Sequence, residues 1–297
     1  MMIALSFGKG SVMKKLDLSS VKIFDGAMGT RLLNMGIPFR PRLEELNLTQ
    51  PEVIRAIHRS YAEAGSDFIL TDTFGVNAHT FKNSDYSISD IILAAIENVK
   101  ASINEEQSIV LDIGPIGRMM EPYGDLTEDE AIMIFREIIM IAKDNVDAIL
   151  FETFMDLDEL TCGIKAAKEI SDLPIFATMT FNANGHTLMG IDVETMVERL
   201  ESLHVSALGA NCSLGPIELQ PVVEDLLRLS HTPILIQPNA GLPHVQNDGS
   251  LHYHIDTDTF VQAIIPWVDH GVKLIGGCCG TDETTIRALA QHFKGKK

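Results

Sequence analysis

Eight times along this 297-residue chain, a short apolar or β-branched run ends in a polar or glycine-rich tip and gives way to an amphipathic helical pattern. The runs are Val21–Ala27, Asp67–Phe74, Ser108–Pro115, Ala148–Phe154, Ile175–Phe181, Ala207–Ser213, Ile234–Gly241 and Leu274–Gly280. Eight strand–helix units with no break in composition predict an α/β fold, a single (β/α)8 TIM-type barrel, rather than two open sheets. The length suits either two average domains or one barrel of roughly 250 residues. The runner-up is a doubly wound sheet, which would place a GxGxxG turn after its first strand. The tip here reads Asp25-Gly26-Ala27-Met28-Gly29-Thr30. The expected boundaries are a leader over 1–20 and one barrel domain over 21–297.

Local signals support the helices between the runs. In Pro51–Ala64, Val53, Ile54, Ile57 and Tyr61 share a face, with Pro51 in the first turn and Gly65 just past the end. Asp192–Glu201 pairs an Asp cap with a stripe of Val193, Met196, Val197 and Leu200. Two loops are long, 34–50 and 242–256, and the second predicts a small hairpin turning at Asn247-Asp248-Gly249.

Composition narrows the function classes. With 23 Lys plus Arg against 41 Asp plus Glu, the net charge of −18 repels phosphate backbones and anionic headgroups, so neither nucleic acid nor a membrane surface is an expected partner. A hydrophobic share of 45% supplies a large core and excludes disorder. The best candidate membrane span, Ala131–Ala142, is interrupted by Arg136 and Glu137. The N-terminus lacks the charge and cleavage pattern of a secretory signal, and four cysteines, two of them adjacent, do not make a disulfide scaffold. The expected location is cytoplasmic.

In a barrel, the C-terminal strand ends converge on one mouth, and those ends carry the chemistry. They bring Asp25, Asp72, Glu152, Asn211-Cys212-Ser213, Asn239 and Cys278-Cys279 to one rim. Three thiolates there would make three corners of a tetrahedron around Zn²⁺ and leave the fourth for substrate. Backbone freedom at Gly276, Gly277 and Gly280 would let both adjacent sulfurs face one ion. Thr281 is expected to cap the helix beginning at Asp282, whose N-terminal dipole would favour thiolates. The alternative is that Cys-Cys is an apolar strand end, and spacing alone leaves both open. Cys162 reads as a small packing residue in a helix.

The motifs FDGAMGTRLL (24–33), ELNLTQPEVIRAIHRSYAEAGSDFILTDTFG (45–75), DIGPIG (112–117), FETFMDLDEL (151–160), GANCSLGP (209–216), QPNAG (237–241) and GGCCGT (276–281) cover nearly the whole chain. Together they resemble the homocysteine S-methyltransferase family, with wording nearest the homocysteine-binding domain of cobalamin-dependent methionine synthase. The resemblance implies that Cys212, Cys278 and Cys279 are zinc ligands. It implies that Asp25 and Glu152 hold the ammonium of homocysteine, and that backbone amides at Gly26, Ala27 and Met28 receive its carboxylate. Asn239 matches a family element near the zinc, and Ser213, beside Cys212, is grouped with the substrate contacts. No catalytic side chain is expected beyond a substrate thiolate activated by the metal. The implied donor is methylcobalamin on a separate corrinoid domain or protein, with a methyltetrahydrofolate module as a further partner.

Other readings stand beside these. A stand-alone transferase would take its methyl group from S-methylmethionine, betaine or another small donor. A thiol-binding module would bind zinc and homocysteine and be inactive without a corrinoid partner. Asp72 and Asp112 read as loop-fixing groups and stay off the site. His252 and His254 read as hairpin surface residues, His58 and His270 as packing or surface positions, and the methionines, including Met119, Met120 and Met133, as core filler. Lys273 precedes the last strand, so Schiff-base chemistry is not expected.

Overall fold

A computed structural model of the chain describes residues 20–245 and 251–295. The leader, apart from Ser20, and the turn expected at Asn247-Asp248-Gly249 therefore lie outside the described residues. Eight parallel strands form one sheet in the order β1 (Lys22–Ile23), β10 (Leu274–Ile275), β7 (Ile234–Gln237), β6 (Ala207–Asn211), β5 (Ile175–Met179), β4 (Ala148–Phe154), β3 (Ser108–Ile113) and β2 (Phe68–Leu70). A parallel bridge between Phe24 and Phe68, with the Asp67 amide donating to the Ile23 carbonyl at 2.6 Å, joins β1 to β2 and closes a TIM barrel. All eight expected runs contain a strand. The run Ala148–Phe154 coincides with β4, and the other seven overshoot their strands because their polar tips have already left the ladder to form the rim.

Strand alternation explains both faces. Phe24, Phe68, Val110, Leu150, Phe176, Leu235 and Leu274 point inward and fill the barrel. The rings of Phe24, Phe68 and Phe176 meet with centroids 4.7–5.8 Å apart. Two residues further along, the same phase brings Asp112, Glu152, Thr178 and Gln237 to the layer above this plug, and four residues along it brings Asp72 after Phe68 and Asn211 after Ala207. The opposite phase packs against the helices as a second, larger core that includes Ile69, Leu111, Ile149 and Ile236.

The return helices are α3 (Pro51–Ala64), α4 (Ile88–Lys100), α5 (Glu128–Ala142), α6 (Leu157–Ile170), α7 (Val193–Ser202), α8 (Pro216–Leu229), α9 (Thr257–Asp269) and α10 (Glu283–Lys294). α3 has the expected bounds, and Gly65 ends it with a left-handed φ of 106°. It buries Ile54, Ile57, His58, Tyr61 and Ala64. The Asp192 carboxylate caps α7 by accepting from the Thr195 amide at 2.8 Å. The first long loop is partly helical, with α1 (Met28–Asn34) before it and a 3-10 turn (Leu43–Glu45) and α2 (Leu46–Thr49) within it. In the second, β8 (Pro243–Val245) pairs antiparallel with β9 (Leu251–Tyr253).

Two expectations are corrected. Asp282, not Thr281, caps α10, accepting from the Thr284 and Thr285 amides at 2.9 and 3.1 Å. Thr281 is turned inward, where its hydroxyl donates to the Cys278 carbonyl at 2.7 Å and accepts from the Ala27 amide at 3.3 Å. The methionines are not uniformly core, since Met119, Met133 and Met140 are exposed while Met120 is buried. Helical periodicity puts Met133 and Met140, seven residues apart, on the outer face of α5.

A candidate metal centre in a carboxylate-lined cavity

Cys212 leaves β6 with a φ of 61°, followed by Ser213 at 58°, both left-handed and unusual for side chains with a Cβ. The turn is held by Cys212 N donating to the Gln237 carbonyl at 3.0 Å and Leu214 N donating to the Cys212 carbonyl at 2.7 Å. Cys278 and Cys279 follow β10, with Cys278 N donating to the Pro238 carbonyl at 2.8 Å. Among the three glycines expected to give freedom here, only Gly280 is left-handed, with a φ of 84°. Gly277 is needed for room, because a Cβ there would lie 2.4 Å from the Thr281 hydroxyl.

The sulfurs of Cys212, Cys278 and Cys279 all lie within 4.8 Å of one another, and Cys212 and Cys279 are 3.9 Å apart. Ligands at a Zn–S distance of about 2.3 Å in a tetrahedron stand about 3.8 Å apart, so this donor set fits zinc without rearranging the backbone. Their protons are shared: hydrogen bonds, from Cys212 first and Cys278 next, hold Cys279 down at about 3, while Cys278 is pushed well above the usual thiol value. A divalent cation would ionise the whole set. Tyr253, from β9, also hydrogen-bonds Cys279.

The thiols form one wall of a cavity of about 400 Å³ at the C-terminal mouth of the barrel. Asp25, Glu44, Asp72, Asp112 and Glu152 all line it, and no Lys, Arg or His does so among the described residues. Burial comes first in raising every one of these carboxyls. Glu152 is pushed to about 8 by burial and then by Cys212, and Asp72 to about 8 by burial and then by Glu44. Asp25 accepts from the Leu70 amide at 3.0 Å through one oxygen, while its other oxygen is buried without a partner. An acidic cavity without a cation of its own is suited to a ligand that brings one.

Asp25, Gly26, Ala27, Met28 and Glu152 line this cavity together with the three cysteines. Of the three amides assigned to a substrate carboxylate, that of Ala27 already donates to Thr281. Asn239 and Ser213 stand off the cavity wall. Asn239 is buried behind it with Oδ1 unpartnered, and Ser213 is exposed and hydrogen-bonded to Thr180. Asp72 and Asp112, left off the site by the sequence reading, belong to the lining. Their phase with Leu70 and Val110 was the available signal. Glu44 carries no such signal because it lies in the irregular first loop, where it accepts from the Gly75 amide at 2.8 Å. His58 is buried with both ring nitrogens unpartnered and held neutral, its pKa lowered by burial to about 3. His270 is exposed at the end of α9.

These features define a TIM barrel with a candidate thiol metal centre beside a deep acidic cavity. The chain belongs to the homocysteine S-methyltransferase family, whose pattern matches residues 22–293. It is 32% identical to a methionine synthase of Mycobacterium tuberculosis over 93% of this chain and 25% of that protein. It is 29% identical to the Mycobacterium leprae methionine synthase over 91% of this chain and 24% of that protein. The chain thus spans about a quarter of the length of these relatives. In fold it resembles the metallated form of the Escherichia coli homocysteine methyltransferase MmuM, with a TM-score of 0.76 at 19% identity, covering 92% of this chain and 96% of that one. No helix among the described residues is long and apolar enough to cross a membrane.

Proposed function

We propose that residues 21–297 bind homocysteine in the acidic cavity and present its sulfur for methylation to methionine. The observation that carries this reading is the placement of three clustered thiols in the same cavity as two carboxyls, buried Asp25 and half-buried Glu152, with no Lys, Arg or His among the described lining residues. Cys212, Cys278 and Cys279 would hold Zn²⁺, which when bound lowers the pKa of a coordinated thiol and so supplies a nucleophile at neutral pH. Asp25 and Glu152 receive the substrate ammonium. Its arrival replaces the missing cation and favours their ionised forms. The first turn of α1, from Met28, offers amides for the carboxylate end.

The proposed donor is methylcobalamin on a separate corrinoid domain or protein, recharged from a methyltetrahydrofolate module. Similarity to the two mycobacterial methionine synthases supports it. A small-molecule donor is the second reading, favoured by the fold match over 96% of MmuM and by a cavity of about 400 Å³. Zinc content and methionine formation, measured on the reduced protein with methylcobalamin and with S-methylmethionine, separate the two. About one zinc per chain, lost in Cys212→Ser, with turnover on methylcobalamin is the expected result. Turnover on S-methylmethionine alone would reassign the donor, and a chain that binds no zinc would overturn the metal assignment.

A further inference from the structure

The ladder between β4 and β5 breaks between Phe151 and Phe154, and the two residues in the gap are Glu152 and Thr153. Such a break re-aims a side chain and leaves backbone groups without a strand partner. Thr153 takes a φ of 63°, a left-handed conformation that a β-branched residue adopts only when its surroundings impose it. The group that fills the gap is the side chain of Asn211, fully buried at the end of β6. Its Oδ1 accepts from the Thr153 amide and from the Thr178 hydroxyl, both at 2.8 Å. Its Nδ2 donates to Thr153 Oγ1 at 2.7 Å and to Glu152 Oε2 at 3.3 Å.

The direction of this amide is determined. A backbone N–H can only donate, so the oxygen of Asn211 must face Thr153 N, and its NH₂ is then turned toward Glu152. All four polar functions of the amide are thereby used. Asp could keep both accepted bonds but would set a second carboxylate against Glu152. The other ammonium-binding carboxyl, Asp25, is held separately by Leu70 N. Cys212, the next residue, is tied to β7 through its own amide.

We propose that Asn211 is a positioning residue that aims Glu152 at the substrate ammonium, and so gives the site its preference for amino-acid thiols over thiols lacking an amino group. The inference rests on the reading of Glu152 given above. It is tested by calorimetric binding of L-homocysteine and of 4-mercaptobutyrate, which has the same thiol and carboxylate but no ammonium, to zinc-loaded wild type and Asn211→Asp. The wild type is expected to prefer homocysteine. In Asn211→Asp that preference falls about tenfold, the scale of one hydrogen bond to a charged group, while zinc content and 4-mercaptobutyrate affinity hold. Glu152→Gln loses the same preference, and the double variant loses no more than either alone.

A folded, zinc-replete Asn211→Asp that retains the wild-type preference, or losses that add in the double variant, would overturn the proposal. If Asn211→Asp does not fold or hold zinc, Asn211→Ala and Thr178→Val carry the comparison. Loss of the preference supports the proposal, and its retention in both overturns it. A wild type that shows no preference for homocysteine defeats the reading of Glu152 itself, whereas a preference that survives in the Asn211 variants defeats only this inference.

Discussion

Asp25, buried, and Glu152, half-buried, are acids whose environment favours the neutral form until a cation arrives, so each should act on substrate binding more than on the chemical step. Glu152→Gln keeps the shape and removes the charge. We expect KM for homocysteine to rise about tenfold with kcat nearly unchanged, the pattern of an interaction made equally in ground and transition states. Steady-state kinetics at saturating donor checks it, and a fall in kcat with KM unchanged would assign Glu152 to the reacting centre instead. At this scale the residue types were legible from sequence. Three cysteines and two acids at strand ends are unusual enough to mark a site. That Asp72 and Asp112 also line the cavity was not legible, because an acid that fixes a loop, as Asp72 does by accepting from Asn47 Nδ2 at 3.2 Å, and one that lines a cavity occupy the same position in the chain.

The helices and strands follow local rules closely. α3 starts at a proline and stops at a left-handed glycine. α4, α5, α6, α7, α9 and α10 all begin behind a Ser, Thr or Asp whose side chain accepts from a first-turn amide. The cap of α10 shows where such rules stop. Thr281 and Asp282 are both competent caps, and only the demand of the Cys278 carbonyl for a donor draws Thr281 inward and leaves the helix to Asp282. Asp282→Ala should therefore cost about 1 kcal/mol in urea unfolding while leaving zinc content unchanged. Thr281→Val should disturb zinc binding, since it removes the hydroxyl that joins the Cys278 turn to Ala27. Zinc titration of the two variants side by side tests the division of labour, and equal zinc affinity in both would refute it.

For the whole molecule, buried acids couple stability to pH. Asp72, raised by burial to about 8, and Glu159, raised by burial to about 7, bind their protons more tightly in the folded chain than in the unfolded one. The sign follows from linkage: stability is greatest where both states are protonated, falls as pH climbs above the ordinary carboxylate value of about 4, and levels off once the folded pKa is passed. At fixed zinc, the urea midpoint should therefore drop between pH 6 and 8.5, and Asp72→Asn should flatten that slope. A midpoint that stays level over the same interval, or a slope unchanged in Asp72→Asn, would show Asp72 ionised throughout.

The amino-acid sequence by itself determined the barrel, because eight apolar runs of strand length, each followed by an amphipathic helical pattern, have one compact way to bury both faces of a parallel sheet. It also determined which rim bears the thiols, since strand direction puts every C-terminal tip on one side. Only the tertiary structure decided how near the three sulfurs come, which acids share the cavity, and that Asn211 spans from β6 to the break in β4. Those facts depend on barrel closure and strand register, which bring residues about sixty positions apart within a hydrogen bond of each other. Periodicity along the chain carries the phase of each strand but not its height against its neighbours, and the chemistry of this site is set by that height.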